Sequence, residues 1–440
     1  MNEDQSQLTI EEFLNTLLAQ AVKERASDIH IEPLAEGVRV RFRVDGILRE
    51  KLTLPLRDLE YILNRLKVIA DLDTVSRATP QEGHLEVEIN LSRKEENKKK
   101  GKEAKSHLAD KLSSVLFAET GGEPETPALP PEREPTEEKA DTGKYTVYAR
   151  LSLFPTSNGE TAVLRMLNRK DMLLPLNELG MDENTLKLVR KIIAKSFGMT
   201  LVTGPAGSGK TTNLYSILRE IQSPEKNIIT LEDPIEFRLD GIRQSQISSE
   251  RGFTFAVGMR SILRQDPDVI MIGEVRDPET AEQAVRAALV GSAVYSTVHA
   301  STTVGTIARL VDMNIERSLV AYAVNGVIAK RLVRKVCPDC RTAYAPDKEQ
   351  LEYLGLEGVQ AQYIRGKGCD TCDETGYYGR TGLFEVLEFD NKLRSLIVER
   401  APMDTLQSYV ESKGLKTLKQ DAVEKILSGI TTAEEVIKVV

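Results

Sequence analysis

The sequence predicts an α/β protein: a nucleotide-binding domain on a mostly parallel sheet, a smaller mixed α/β domain before it, and a tetracysteine module after it. Three observations carry this. An apolar run at 199–203 leads straight into GPAGSGKT and a helix-like segment, TTNLYSILREI. Further short apolar runs at 228–231, 269–272 and 293–297 alternate with helical stretches, the spacing of parallel strands with helices on both faces. The chain's 4 cysteines fall into two C-x-x-C pairs.

Length and composition bound the answer. At about 150 residues per domain, 440 residues make roughly two to four domains. With 40% hydrophobic and 29% charged residues the chain can build a sizeable core, which excludes wholesale disorder. A net charge of -8 argues against a protein that coats nucleic acid, since no net positive field draws phosphate in. No apolar run approaches the length of a membrane span. The opening MNEDQSQLTI is acidic and polar, unlike a signal peptide. The expectation is a cytoplasmic protein whose cysteines are thiols or metal ligands.

The first segment reads as helix and strands. Thr9 and Glu12 have capping-box spacing, and Phe13, Leu14, Leu17, Leu18, Ala21 and Val22 then share one helical face. Val38, Val40, Phe42 and Val44 alternate with Arg39, Arg41 and Arg43 up to a tight Asp45-Gly46 turn. Leu85, Val87 and Ile89 alternate again, and 145–153 resumes the pattern. Between them, residues 91–144 hold a lysine-rich stretch, a short helix-like piece at 108–117 and five of the chain's 18 prolines within 124–135. Such composition predicts a disordered insertion between two strands, its basic run solvated or, alternatively, in contact with acidic lipid or protein. Helices are expected around Leu186, Val189, Ile192 and Ile193, and near 393–399 and 422–427.

GPAGSGKT matches G-x-x-x-x-G-K-[ST] completely, between a strand and a helix, where the motif has physical meaning. Gly204, Pro205, Ala206, Gly207, Ser208 and Gly209 form a loop whose amides turn inward to β- and γ-phosphates, with helix-start potential behind them. Lys210 bridges phosphate oxygens, Thr211 offers its hydroxyl to Mg²⁺, and Thr212 is a further nucleotide-binding candidate. The bland alternative is a glycine-rich turn capping a strand. The motif implies NTP binding and does not reveal what the energy drives.

LRQDPDVIMIGEVRD, residues 263–277, carries four apolar residues to Gly273-Glu274. A strand beside the phosphate-loop strand brings Glu274 to the carboxyl edge of the sheet, where nucleotide sits. Gly273 stands where an Asp usually helps hold Mg²⁺, which leaves Thr211, phosphates and water as ligands. Glu274 is the candidate to orient or deprotonate the attacking water. An exposed helix-start glutamate is the alternative.

Cys337-x-x-Cys340 and Cys369-x-x-Cys372 are separated by 28 residues, and each pair can offer two thiolates to one tetrahedral Zn²⁺. A site closed by four sulfurs is structural. A redox disulfide or unrelated buried thiols are the alternatives.

Taken together, ITLEDPIEF, GMRSILRQDPDVIMIGEVRD and STVHAST resemble the Asp box, Walker B and His box of the type II secretion and type IV pilus ATPases. RASDIHIEP, VRFRVDGIL, TPQEGHLEVEI, YARLSLFPTSNGETAVLRMLN and CPDC…CDTC with YYGRTGLFEVL resemble the same family. The resemblance covers almost all of the chain except the insertion. It implies a RecA-like P-loop motor domain and a PAS-like N-terminal domain. Glu232 and Glu236 then sit near the γ-phosphate, and His299 senses nucleotide state. Arg150 and Arg165 reach the phosphates from the N-terminal domain across a cleft, and Arg260 and Arg276 belong to the motor's nucleotide site. Each of these residues alone is as well read as a structural histidine or a surface charge.

Three departures stand out. The chain begins where many assembly members have already passed an extra partner-docking domain, the insertion at 91–144 replaces what is usually a short turn, and His84 replaces the family's usual arginine. The expected layout is an N-terminal domain at 1–167, a linker at 168–177, a motor at 178–332, a zinc module at 333–385 and a helical region at 386–440. The resemblance implies a homohexameric ATPase that uses ATP, Mg²⁺ and Zn²⁺. It powers pseudopilus or pilus assembly through an inner-membrane platform protein and lies peripheral to that membrane, with no direct nucleic-acid partner. Retraction members of the superfamily lack the cysteine module, which tilts the reading to assembly. A DNA-uptake or retraction motor, and more remotely a nucleic-acid-dependent RecA-like ATPase, are the alternatives.

Overall fold

The computed structural model describes residues 9–90, 144–167 and 172–440. Residues 91–143 of the expected insertion, with the short helix expected at 108–117, and residues 168–171 of the expected linker lie outside the described residues. The chain divides into two compact units, Met1–Asn168 and Arg169–Val440.

The first unit opens with the helix Ile10–Lys23. Its capping box is formed: the Thr9 amide donates to Glu12 Oε2 at 2.7 Å, and the Glu12 amide donates to Thr9 Oγ1 at 3.3 Å. Six strands follow: β1 (Ala26–Leu34), β2 (Gly37–Val44), β3 (Ile47–Leu54), β4 (Gln81–Asn90), β5 (Lys144–Thr156) and β6 (Gly159–Leu167). They form one antiparallel sheet in the order β3-β2-β1-β6-β5-β4. Asp45 and Gly46 both have positive φ, as the tight hairpin between β2 and β3 requires. Period-two alternation sends Ile29, Ile31, Val38, Val40 and Phe42 into a core shared with Ile10–Lys23 and the helix Asp58–Ile69.

The opposite face of that sheet is charged. Cross-strand register aligns Arg43, Asp28, Arg165, Arg150 and His84 in one row across five strands.

The second unit is built on β7 (Gly198–Thr203), β8 (Ile228–Glu232), β9 (Arg243–Gln246), β10 (Val269–Ile272), β11 (Ala293–Val298), β12 (Val324–Val336) and β15 (Tyr377–Glu388). Their order is β15-β12-β7-β11-β10-β8-β9. All neighbours are parallel except β15, which runs antiparallel to β12 at the edge. Successive residues of the parallel strands face two different cores. Leu201, Leu231, Ile270 and Ile272 serve one, and Val202, Ile228, Val269 and Met271 serve the other. This is the two-sided burial that makes such strands read as continuous apolar runs.

β12 was not expected from the sequence. Lys330, Arg331 and Arg334 interrupt its apolar pattern, although Lys330 and Arg334 are buried. The helices Asn391–Val398 and Met403–Ser412 pack their Leu393, Ile397, Leu406 and Val410 into the same core as β7 and β11. The small hairpin β13 (Arg341–Tyr344) and β14 (Tyr363–Gly366) stands between the two cysteine pairs in sequence. Among the described residues, no helix is long and apolar enough to cross a membrane.

Candidate nucleotide site and tetracysteine cluster

β7 is fully buried and ends at Thr203, where the glycine-rich loop begins. Gly207 and Gly209 have φ of +75° and +80°, a left-handed conformation that glycine adopts without strain. The loop turns into the helix Lys210–Ile221. Lys210 Nζ donates to the carbonyls of Gly204 and Pro205 at 3.0 Å each. Burial holds its ammonium below the usual lysine range; nearby Glu274 opposes that shift and Arg331 adds to it. Thr211 and Thr212 are half-buried in the first turn, and Thr212 Oγ1 lies 3.9 Å from Met172 Sδ.

Glu274 follows β10 at the same edge of the sheet. The flanking amides fix it: Gly273 donates to the Leu231 carbonyl of β8 at 2.8 Å, and Val275 to the Thr297 carbonyl of β11 at 2.9 Å. Its carboxylate pairs with Arg276 and lies 3.5 Å from His299 Nε2. His299 is carried by the turn after β11, and Thr203 anchors that turn. The Thr203 hydroxyl lies 3.0 Å and 2.9 Å from the Val298 and Ala300 carbonyls and accepts the Ala300 amide at 3.0 Å. Lys210, Glu274, Arg276 and His299 thus meet at one edge, on the ends of three adjacent strands.

The remaining expected residues sit elsewhere. Glu232 ends β8 with 2% exposure, and its carboxylate accepts from Thr230 Oγ1, Tyr215 OH and Gln244 Nε2. It therefore ties the phosphate-loop helix to β8 and β9 from the interior. Burial, with Glu232 adding to it, pushes the Tyr215 phenol well above its ordinary range. Glu236 lies in the segment after the cis Asp233-Pro234 bond, half-buried. Arg260 pairs with Glu279, linking the helices Phe255–Ile262 and Pro278–Val290. Arg150 and Arg165 belong to the first unit. There Arg150 Nη2 donates to Glu82 at 2.9 Å and Arg165 Nε to Asp28 at 3.0 Å, leaving the Arg165 side chain 61% exposed.

Sequence reading missed Thr203, Lys330 and Arg331. Arg331 Nη2 donates to the Ser301 carbonyl at 2.8 Å, beside the His299 turn. No motif marks these residues, because their partners are distant in sequence.

The four cysteines converge. Their sulfurs all lie within 4.8 Å of one another. Three of the separations, Cys337–Cys369, Cys340–Cys372 and Cys369–Cys372, are 3.8, 3.8 and 3.7 Å. Four sulfurs about 2.3 Å from a tetrahedral Zn²⁺ stand about 3.8 Å apart, so the cluster fits such an ion. The amides of Cys369 and Gly376 donate to Cys372 Sγ at 3.3 and 3.2 Å, as thiolate-orienting donors do. Gly366 and Gly376 let the two loops touch: a Cβ on Gly366 would meet the Gly376 carbonyl oxygen at 2.1 Å.

A glycine loop between strand and helix, with a carboxylate at the end of a nearby parallel strand, is the arrangement of a nucleotide-binding α/β protein. The comparisons with known proteins place it. The family model described as "Type II/IV secretion system protein" matches residues 3–97 and 132–438, and the chain belongs to that family. It is 38% identical over 439 residues to the type II secretion system protein E of Pseudomonas aeruginosa, covering 99% of this chain and 76% of that protein. Identity to the type IV pilus assembly ATPase PilB of Thermus thermophilus is 36%, over 97% of this chain and 42% of that one. Among solved structures, the Legionella pneumophila ATPase DotB matches with a TM-score of 0.64 at 22% identity, covering 100% of this chain and 98% of that one. The pilus retraction motor PilT with bound ADP matches at 0.56 and 22%, over 97% and 96%. These structural matches establish the shared fold, and the family resemblance read from the motifs is borne out.

Proposed function

We propose that this chain is an ATPase that powers assembly of a type II secretion pseudopilus or a type IV pilus, working as a homohexamer on an inner-membrane platform protein. The observation that carries the reading is the meeting of Lys210, Glu274, Arg276 and His299 at one sheet edge, in a chain whose whole length matches secretion and pilus ATPases. In this reading the second unit is a RecA-like motor and the first a PAS-like domain. The loop 204–209 with Lys210 holds the triphosphate. Thr211 supplies a hydroxyl to Mg²⁺, which screens phosphate charge when bound. Glu274 orients or deprotonates water, with His299 and Arg276 beside it. Glu232 and Glu236 shape the nucleotide end of β8, and Arg260 steadies the helices flanking it. Arg150 and Arg165 are the arginines assigned to stabilising phosphoryl charge. The four cysteines bind Zn²⁺ as a structural ion. The tetracysteine cluster favours assembly over retraction.

The test is phosphate release. The full-length chain should hydrolyse ATP with Mg²⁺, and Lys210→Ala should lower turnover by about 10²–10³-fold, the usual cost of removing one preorganised donor at a charged reacting group. Wild-type turnover in the alanine variant would remove the phosphate loop from the reaction.

A further inference from the structure

Lys330 stands behind the phosphate loop. It is 2% exposed on β12 and sits under both ends of the loop. Its Nζ donates to the Gly209 carbonyl at 3.3 Å, and a Cβ on Gly209 would lie 3.2 Å from that Nζ. At the other end, a Cβ on Gly204 would lie 2.5 Å from the Lys330 carbonyl oxygen, which also accepts from Arg331 Nη1 at 3.0 Å. The ammonium also lies 5.4 Å from the centroid of the Phe384 ring. Among the described residues no carboxylate pairs with it. A lysine buried without a counter-charge is costly, so the position asks for a reason.

We propose that Lys330 is a positioning residue for the phosphate loop: its ammonium grips the Gly209 carbonyl and thereby strengthens the Lys210 amide as a donor to nucleotide phosphate. The Gly209 carbonyl and the Lys210 N–H are the two ends of one peptide group. Withdrawing electron density at the oxygen polarises the N–H, and hydrogen bonds in such a chain reinforce one another. That amide is among the first of the helix Lys210–Ile221, where orphan N–H groups receive anions. The Gly209 carbonyl also accepts the Asn213 amide at 3.1 Å, so the lysine adds a second donor to the same oxygen. The proposal rests on reading 204–211 as the ATP site.

The surroundings make this grip sensitive to nucleotide. Burial lowers the Lys330 ammonium to about 7, and Arg380 of β15 adds to the shift. Charged groups on the packed elements include Arg331 on β12, Lys210 on the loop helix with Glu274 beside it, Arg380 and Glu385 on β15, and Asp421 and Lys425 on the helix Leu418–Leu427. The last two also lie against Phe384: its amide donates to Asp421 at 2.9 Å, and Lys425 Nζ lies 6.0 Å from its ring centroid. Cations outnumber anions here, and bound phosphate supplies the missing negative charge. Binding therefore raises the lysine's proton affinity. By linkage, nucleotide affinity falls as pH rises through about 7, because the free protein then carries less of the ammonium form.

The experiment measures binding of a fluorescent, non-hydrolysable ATP analogue with Mg²⁺ to the full-length chain from pH 6 to 8.5. Wild type is compared with Lys330→Met and Lys330→Gln. If nucleotide raises the lysine by about one pKa unit, wild-type affinity at pH 8 should be about five-fold weaker than at pH 6, relative to the glutamine variant. Both variants remove that difference. Glutamine, an uncharged donor, should bind between methionine and wild type at pH 6. Calorimetry on wild type in buffers of different ionisation enthalpy should show proton uptake on binding near pH 7.5, a readout that holds even if a variant folds poorly. Parallel pH profiles for wild type and both variants, or no proton uptake, would overturn the proposal. Absence of nucleotide binding to wild type at every pH would instead overturn the ATP-site reading on which it rests.

Discussion

The phosphate loop and the tetracysteine cluster are both built from short contiguous motifs, and they differ in how complete each is by itself. The cysteine cluster is closed: four sulfurs, with amide donors behind them, face one point and leave no open position. The phosphate loop is open. Lys210 turns back to two loop carbonyls, and Glu274, His299 and Arg331 reach the region from β10, β11 and β12. A closed constellation can only hold an ion and therefore stabilises a local fold. An open one depends on groups delivered by several strands, and such dependence is what allows chemistry and its control. Each prediction below removes one part and asks whether the loss stays local.

The largest expected effect is at the closed site. Cys337→Ser, or chelation of the wild-type chain, should remove about one metal ion per chain. Structural Zn²⁺ contributes roughly 10–16 kcal/mol to the folding of such modules, so the β13–β14 hairpin should lose its protection from hydrogen exchange. Nucleotide binding should remain measurable, because no residue of 204–211 is supplied by the module. Metal-free protein with an unchanged exchange pattern would show that the cluster is a set of buried thiols.

At the open site, Glu274→Gln keeps size and hydrogen bonding and removes the proton acceptor. Turnover should fall by about 10²–10⁴-fold, the range for general-base residues, while ATP affinity changes little. Single-turnover kinetics with a nucleotide-binding assay separate the two. Turnover within two-fold of wild type would move the base role to another carboxylate at this edge.

The same contrast explains what sequence alone disclosed. Both motifs are local: residues 204–211 sit on one turn of chain, and each C-x-x-C pair on one knuckle, so spacing was enough to propose their chemistry. β7, β8, β10 and β11 were legible because strands buried on both faces read as unbroken apolar runs. β12 was hidden because its interior charges break that signal, and the Lys330–Gly209 bond joins residues 121 apart. Glu232 shows what tertiary partners add to a motif. It ends β8, and three donors, Thr230, Tyr215 and Gln244, hold its buried carboxylate, two of them from other elements. The expected layout placed borders at 332/333 and 385/386; β12 runs through the first and β15 through the second. A sheet edge built from distant segments leaves no local mark.

The smallest effect tests whether the open site depends on its scaffold. Thr203 ends the phosphate-loop strand, and its hydroxyl is a polar tie to the turn that carries His299. Thr203→Val preserves shape and β-branching and deletes only that tie. The Ala300 amide then loses its acceptor, and the variant should be less stable by about 1–3 kcal/mol in denaturant unfolding. Because the loop amides and Lys210 are untouched, KM for ATP should stay near wild type. His299, less firmly held 3.5 Å from Glu274, should let turnover drop several-fold, a kcat effect. Thr203→Ser, which restores the hydroxyl, should recover most of both losses. If valine weakens ATP binding and turnover equally, the tie supports the loop as a whole. If serine fails to rescue, the methyl packing of Thr203, fully buried between β11 and β12, matters more than its hydroxyl.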